Sequence, residues 1–299
     1  MGIIDAHAHV FKELTGFGAD GELRAIGGGK ARWSTGQIID LIPAGCGDKD
    51  FTAESYLRLM DEHGIDKAVL LQGGFLGFEN YYLEEVQAEY PGRFLSAGTF
   101  DPFCRNSGAI LDNLFPKFKV FKFEMSTGCG IMGSHPDFRL DSAMMMTIYE
   151  QLAQGGKIVE FDLGSPGDGS NQPDAVANIA DAFPGLRIVV CHLMSPRRNH
   201  RKELTEGLRM MRKDNIWFDL AALQHKTRPE DYPFPVAQSF IRLAIDIVGP
   251  EKLMWGTDAP STLSKWPLKD LIDYQREILS EEEERLIFHD NAENLYFRD

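Results

Sequence analysis

The 299-residue chain is 43% hydrophobic, enough for a large core and too apolar for a disordered segment. Its formal net charge of −14 disfavours a nucleic-acid or anionic-membrane partner. No apolar run reaches membrane-spanning length and no basic-then-apolar leader opens the sequence, so a cytoplasmic location is expected.

The first apolar run, "IIDAHAH" at 3–9, sets His7 and His9 two apart. Residues two apart on a strand share a face, here with Asp5 expected below them. Two imidazoles side by side can bind a metal, or they can be a chance pair on a solvated strand. Residues 10–51 follow, rich in glycine and including "GGG" at 27–29. A connection this long reads as an inserted loop, expected over the active-site face. "TAESYLRLMDEHG" (52–64) predicts a helix that starts at a threonine cap and stops at glycine.

Three strand-like runs come next: "KAVLLQG" (67–73), "FLSAGTF" (94–100) and "KVFKFEM" (119–125). Residues 142–156 carry Met145, Ile148, Tyr149 and Leu152 at helical spacing. The methionines at 144–146 and 210–211 read as helix packing. "KIVEFDLG" (157–164), "RIVVCHL" (187–193), "IWFDLAA" (216–222) and "KLMWGTD" (252–258) complete the strands. Helical patterns at 173–185 and 233–249 lie between them, and "LSEEEERLIFHDNAENLYF" closes the chain as a helix. Four cysteines at 46, 104, 129 and 191 show no CxxC spacing and read as reduced thiols.

Eight strands alternating with helices predict an α/β fold, a (β/α)8 TIM barrel spanning 1–299 as one domain. An open doubly wound sheet is the alternative, disfavoured because no GxGxxG follows the first strand. In a barrel, the C-terminal strand ends meet over one pocket. Here those ends carry His7 and His9, Lys122 and Glu124, Glu160 and Asp162, His192, and Asp258. Each has a plain reading: a Lys122–Glu124 ion pair, a loop cap at Glu160, a core histidine at 192, a turn cap at Asp258. Taken together they bring imidazoles and carboxylates from several strands to one place, which a core does not need. "PRRNHRK" (196–202) reads first as a solvated helix start, with Arg197 open to an anionic substrate.

"DAHAH" on a first strand, "FPGLRIVVCHL" on a sixth, "LMWGTDAP" on an eighth and the Asn-Ala pair of the closing helix resemble the amidohydrolase superfamily. The similar branch is the one containing aminocarboxymuconate-semialdehyde decarboxylase and related metal-dependent hydrolases. The resemblance implies His7 and His9 as metal ligands. It implies Asp258 as ligand and proton acceptor, and His192 as the group that polarises the substrate or acts as acid and base. Asp162 stands where the branch usually has histidine, which leaves two alternatives: a His–His–Asp–Asp site for zinc, with manganese as the other metal, or a site that binds no metal tightly.

Lys122, Glu124, Glu160 and Arg197 become candidate substrate-binding residues. The expected activity is hydrolysis of a lactone, ester or amide of a small molecule by a metal-activated water. Non-oxidative decarboxylation and a non-catalytic barrel with a decayed metal site are the rivals. Substrate identity and assembly into a homo-oligomer are left open.

Overall fold

The computed structural model describes residues 2–298. Eight parallel strands run in chain order around a barrel: β1 (Ile3–Ala8), β2 (Ile65–Leu70), β3 (Phe94–Gly98), β4 (Val120–Glu124), β5 (Ile158–Asp162), β6 (Arg187–Val190), β7 (Ile216–Asp219) and β8 (Leu253–Met254). The last strand returns to the first. The Ala6 amide donates to the Trp255 carbonyl at 2.9 Å, and the Asp258 amide donates to the His7 carbonyl at 2.7 Å. This is the (β/α)8 architecture, and every strand falls on one of the apolar runs read from the sequence. Among the described residues no helix is long and apolar enough to cross a membrane.

Helix α1 (Ala53–His63) begins where the Thr52 hydroxyl accepts from the Ser55 amide and ends at Gly64, whose φ of 71° suits glycine. Helices α2 (Asn80–Glu89) and α3 (Ser107–Leu114) follow, then α4 (Ala143–Gln154) and α5 (Pro173–Ala182). Helices α6 (Arg201–Met210), α7 (Pro235–Val248) and α8 (Leu268–Arg276) complete the outer ring. Met145, Tyr149 and Leu152 are the buried face of α4, as their spacing predicts.

Residues 10–51 differ from the expected loop. They hold a small antiparallel sheet of four short strands, Phe17–Gly18, Gly21–Gly27, Lys30–Trp33 and Ile38–Asp40. The "GGG" is its hairpin turn: Gly27, Gly28 and Gly29 all have positive φ, which residues with a Cβ resist. Leu23, Ala31 and Trp33 are buried beneath the sheet.

Inside the barrel, Ile4, Val69, Ala97, Val120, Ile158, Val189 and Met254 form one apolar cluster with Leu295 and Tyr296. The closing helical segment therefore plugs the barrel floor. Lys67 pairs with Glu293 at 2.6 Å, and the Arg187 guanidinium donates to the Leu295 carbonyl at 3.3 Å. The Tyr296 hydroxyl donates to Glu160 at 2.7 Å in the buried interior. Burial pushes the Glu160 carboxyl up to about 8. Tyr296→Phe removes the donor and leaves a buried carboxyl oxygen unsatisfied. It should cost about 1–3 kcal/mol of unfolding free energy, read by urea denaturation at neutral pH.

Candidate active site

The residues expected to share β1's inner face do not all do so. Asp5 pairs with Ala68 and Ala8 with Leu70, so β1 fits one more residue than β2 over this span. The bulge turns the strand. Asp5 faces outward, accepting from the hydroxyls of Tyr56 on α1 and of Thr257. Burial raises its carboxyl to about 6 despite those bonds. The expectation of Asp5 below the histidines on their face is thus corrected, whereas His7 and His9 point the same way, their rings 5.1 Å apart.

Three imidazoles are fixed through Nδ1. His9 Nδ1 lies 2.8 Å from the Leu71 carbonyl oxygen and His192 Nδ1 2.8 Å from the Ala221 carbonyl oxygen. Carbonyls only accept, so in both rings Nδ1 carries the proton and donates. His7 Nδ1 donates to Asp219 at 3.0 Å. In each neutral ring the lone pair is then on Nε2, the arrangement that ligating histidines require.

Those Nε2 atoms face carboxylates. His9 Nε2 is 3.1 Å and His7 Nε2 3.8 Å from Asp258, and His192 Nε2 is 3.8 Å from Asp162. His7 Nε2 is buried with no hydrogen-bond partner among the described residues. Lone pairs gathered against carboxylates repel unless a cation lies between them, either a proton in the His9–Asp258 hydrogen bond or a metal ion. Three donor groups meet at His7: His7, His9 and Asp258; His7, Asp162 and His192; and His7, Cys191 and Asp219, where Asp219 already accepts from His7 Nδ1. Imidazole nitrogens and carboxylate oxygens at this density suit zinc or manganese, so the residues present fit a divalent ion.

The charges follow from the packing. For Asp258, burial works upward, but the His9 contact and the fields of His192 and His7 hold it well below the usual carboxylate range. Asp162 is likewise held down, chiefly by Lys122, whose Nζ lies 3.2 Å away. Burial opposes the charge on Lys122, yet Asp162 first, then Cys191 and Glu124, hold the ammonium above its ordinary range. Lys122 thus pairs with Asp162 rather than with Glu124. Glu124 accepts instead from the Ser126 hydroxyl at 2.9 Å, and burial pushes its carboxyl up. His192 is pushed down by burial and by Lys226 and His7.

A cavity of about 530 Å³ opens above these groups, lined by His9, Lys122, Glu124, Asp162, His192 and Asp258. The inserted sheet covers one side of it through Trp33, Ile39 and Asp40. Glu160 is not among the lining residues. It points inward one layer lower, against Tyr296, because residues two apart on β5 stack along the barrel axis. Arg197 also stays outside the lining, exposed and paired with Asp168 at 3.3 Å, so the rim cluster is a solvated helix start at this position.

Sequence reasoning missed Asp219, which ends β7 and accepts from His7 Nδ1 and from the amides of His192 and Ala221, the last two at 3.0 Å. Its signal was present: "IWFDLAA" puts a carboxylate at a strand end, as "WGTDAP" does. The basic residues His225, Lys226 and Lys265 in the lining were missed too. His225 and Lys226 end a helical turn of four residues and Lys265 lies on a loop, segments too short or irregular for periodicity to mark them.

A family model described as amidohydrolase matches residues 4–298. No curated protein matches the sequence. Solved structures share the fold at low identity. A probable 2-pyrone-4,6-dicarboxylic acid hydrolase from Acinetobacter baumannii with citric acid bound is 17% identical with a TM-score of 0.72, covering 100% of both chains. An amidohydrolase from Burkholderia multivorans with bound zinc is 15% identical with a TM-score of 0.73, covering 99% of each chain. A 5-carboxyvanillate decarboxylase from Sphingomonas paucimobilis is 17% identical with a TM-score of 0.57, covering 81% of this chain and 82% of its own.

Asp219→Asn keeps the size of the side chain but removes its charge and one acceptor. It should lower zinc affinity by about 10–100-fold, the usual effect of losing a group that orients a ligating histidine. Competition against a chromophoric chelator, with circular dichroism as the fold control, checks this.

Proposed function

Because the chain belongs to the amidohydrolase family, we propose that it is a metal-dependent hydrolase that opens a lactone, ester or amide bond in a small molecule. The observation that carries this reading is the placement of Asp258 at the cavity floor. Its Oδ1 lies against His9 and His7, while its Oδ2 accepts from the Ser261 hydroxyl at 3.4 Å.

His7, His9 and Asp258 would hold the ion, with Asp162 and His192 beside them. When bound, a divalent ion supplies Lewis acidity, polarising an oxygen in its field and making water a better nucleophile at neutral pH. Asp258 is ionised throughout the neutral range and accepts the proton of the attacking water, later giving it to the leaving oxygen or nitrogen. Lys122 keeps its ammonium form on the same cavity wall and donates to the carbonyl oxygen as that atom gathers charge. His192 is different. Its Nδ1 proton is taken by Ala221 and its ring is pushed toward neutrality, so Nε2 offers a lone pair rather than a proton. It serves as ligand or base, and the acid role expected for it moves to Asp258.

Family membership also admits decarboxylation, so the test reads both reactions. Zinc-loaded protein is assayed against a panel of lactones and aryl esters for ring or ester opening, and against aromatic acids for CO2 release. Hydrolysis that falls by about 100-fold or more in Asp258→Asn is expected. CO2 release without hydrolysis would reverse the reading. His192→Gln should lower kcat by a similar factor, and zinc analysis of that variant decides between base (metal kept) and ligand (metal lost).

A further inference from the structure

His225, Lys226 and Lys265 line the cavity with Asp258, yet they have no part in the chemistry above. His225 and Lys226 end the short helical turn Leu223–Lys226 that follows β7, and Lys265 comes from the loop after β8. His225 sits between two cationic groups. Lys265 Nζ lies 3.3 Å from its Nδ1, and the Arg228 guanidinium lies 2.9 Å from its Nε2. A neutral imidazole accepts at one nitrogen and donates at the other, so one of these contacts sets donor against donor. Burial, then Lys265, Arg228 and Lys226, push His225 down to about 3.

Lys226 is half-buried, and its ammonium makes no hydrogen bond or ion pair among the described residues. No nearby acid pairs with this charge. Asp162 feels the field of Lys226 but is paired with Lys122 at 3.2 Å. Asp258 is committed to His9, and Asp40 pairs with Lys30 at 3.7 Å, so both act on Lys265 only through their fields. A half-buried lysine with no ion-pair partner and a second lysine on the same cavity wall, both acting on a histidine denied its proton, are a concentration of positive charge that a bound anion would relieve. Asp20, Asp40 and Asp168 line other parts of the same cavity.

We propose that Lys226 and Lys265 form a carboxylate-binding subsite, so that the substrate is an organic acid whose carboxylate lies between these two lysines. Placing its hydrolysed bond over Asp258 rests on the hydrolase reading above, whereas the subsite stands on the lysines themselves.

Calorimetry tests the subsite with two weakly chelating diacids, glutarate and isophthalate. Glutaramide serves as the neutral control, inorganic phosphate as the rival anion, and the protein is zinc-loaded. Both diacids should bind and glutaramide should not. Lys226→Gln and Lys265→Gln should each weaken diacid binding by about tenfold or more, with zinc content and the thermal transition unchanged. The subsite is overturned if neither diacid binds, if glutaramide binds equally, if phosphate binds in place of the diacids, or if the double variant binds as well as the parent. Zinc content and ester opening are read separately. Failure of the lysine subsite therefore leaves the hydrolase reading intact, and failure of hydrolysis leaves the diacid result standing.

Discussion

The buried carboxylate of Asp219 ties three strand ends to one another. It accepts from His7 on β1, from the His192 amide after β6 and from the Ala221 amide after β7. Burial works against its charge, but those contacts hold it below the usual carboxylate range, so it stays ionised. An ionised carboxylate is an obligatory acceptor. It therefore fixes the His7 tautomer, which sets the lone pair on Nε2, and it pins the backbone from which His192 projects. The geometry of the candidate ion site follows from this one group, although it does not itself line the cavity.

The backbone around it is held in costly conformations. His192, Leu193, Met194 and Ser195 are four successive non-glycine residues with positive φ, and Ala222 and Asp258 repeat the feature after β7 and β8. The left-handed region costs about 1–2 kcal/mol for each residue bearing a Cβ. Such a cost persists only where the surroundings over-determine the chain. Here the Ser195 amide closes onto the His192 carbonyl at 2.8 Å, and the Ser195 hydroxyl onto the Leu163 carbonyl at 3.1 Å. The tight turn brings His192 back over the barrel axis, its ring 4.4 Å from that of His7. An ordinary strand exit would carry it away.

Much of this was legible in the sequence. Each strand coincides with an apolar run, because a parallel barrel buries both faces of its strands and leaves continuous runs rather than alternation. His7, His9, Lys122, Asp162, His192 and Asp258 announced themselves as polar residues at the ends of such runs. What stayed hidden depends on where a side chain turns. Asp5 was misplaced because a bulge shifts the alternation without any marker at its own position. Glu160 looked equivalent to Asp162, but two residues down the strand is a layer deeper, where Tyr296 meets it. The sheet in residues 10–51 escaped notice because its short strands alternate over a glycine-rich background.

The partnership of Lys122 with Asp162 bears on the charge of the whole site. Asp162, Asp219 and Asp258 are all held in the ionised form within one buried neighbourhood. One lysine ammonium and, were it bound, one divalent ion would together balance three carboxylates. A histidine at position 162 would remove one negative charge and leave a buried lysine unanswered, which is costly unless the lysine is lost as well. The aspartate on β5 and the lysine on β4 are therefore best understood as a pair, joined at 3.2 Å across adjacent strands. The departure from the histidine that the resemblance implies at this position would then leave the charge of the site unchanged. It also places a cation on the wall of the cavity.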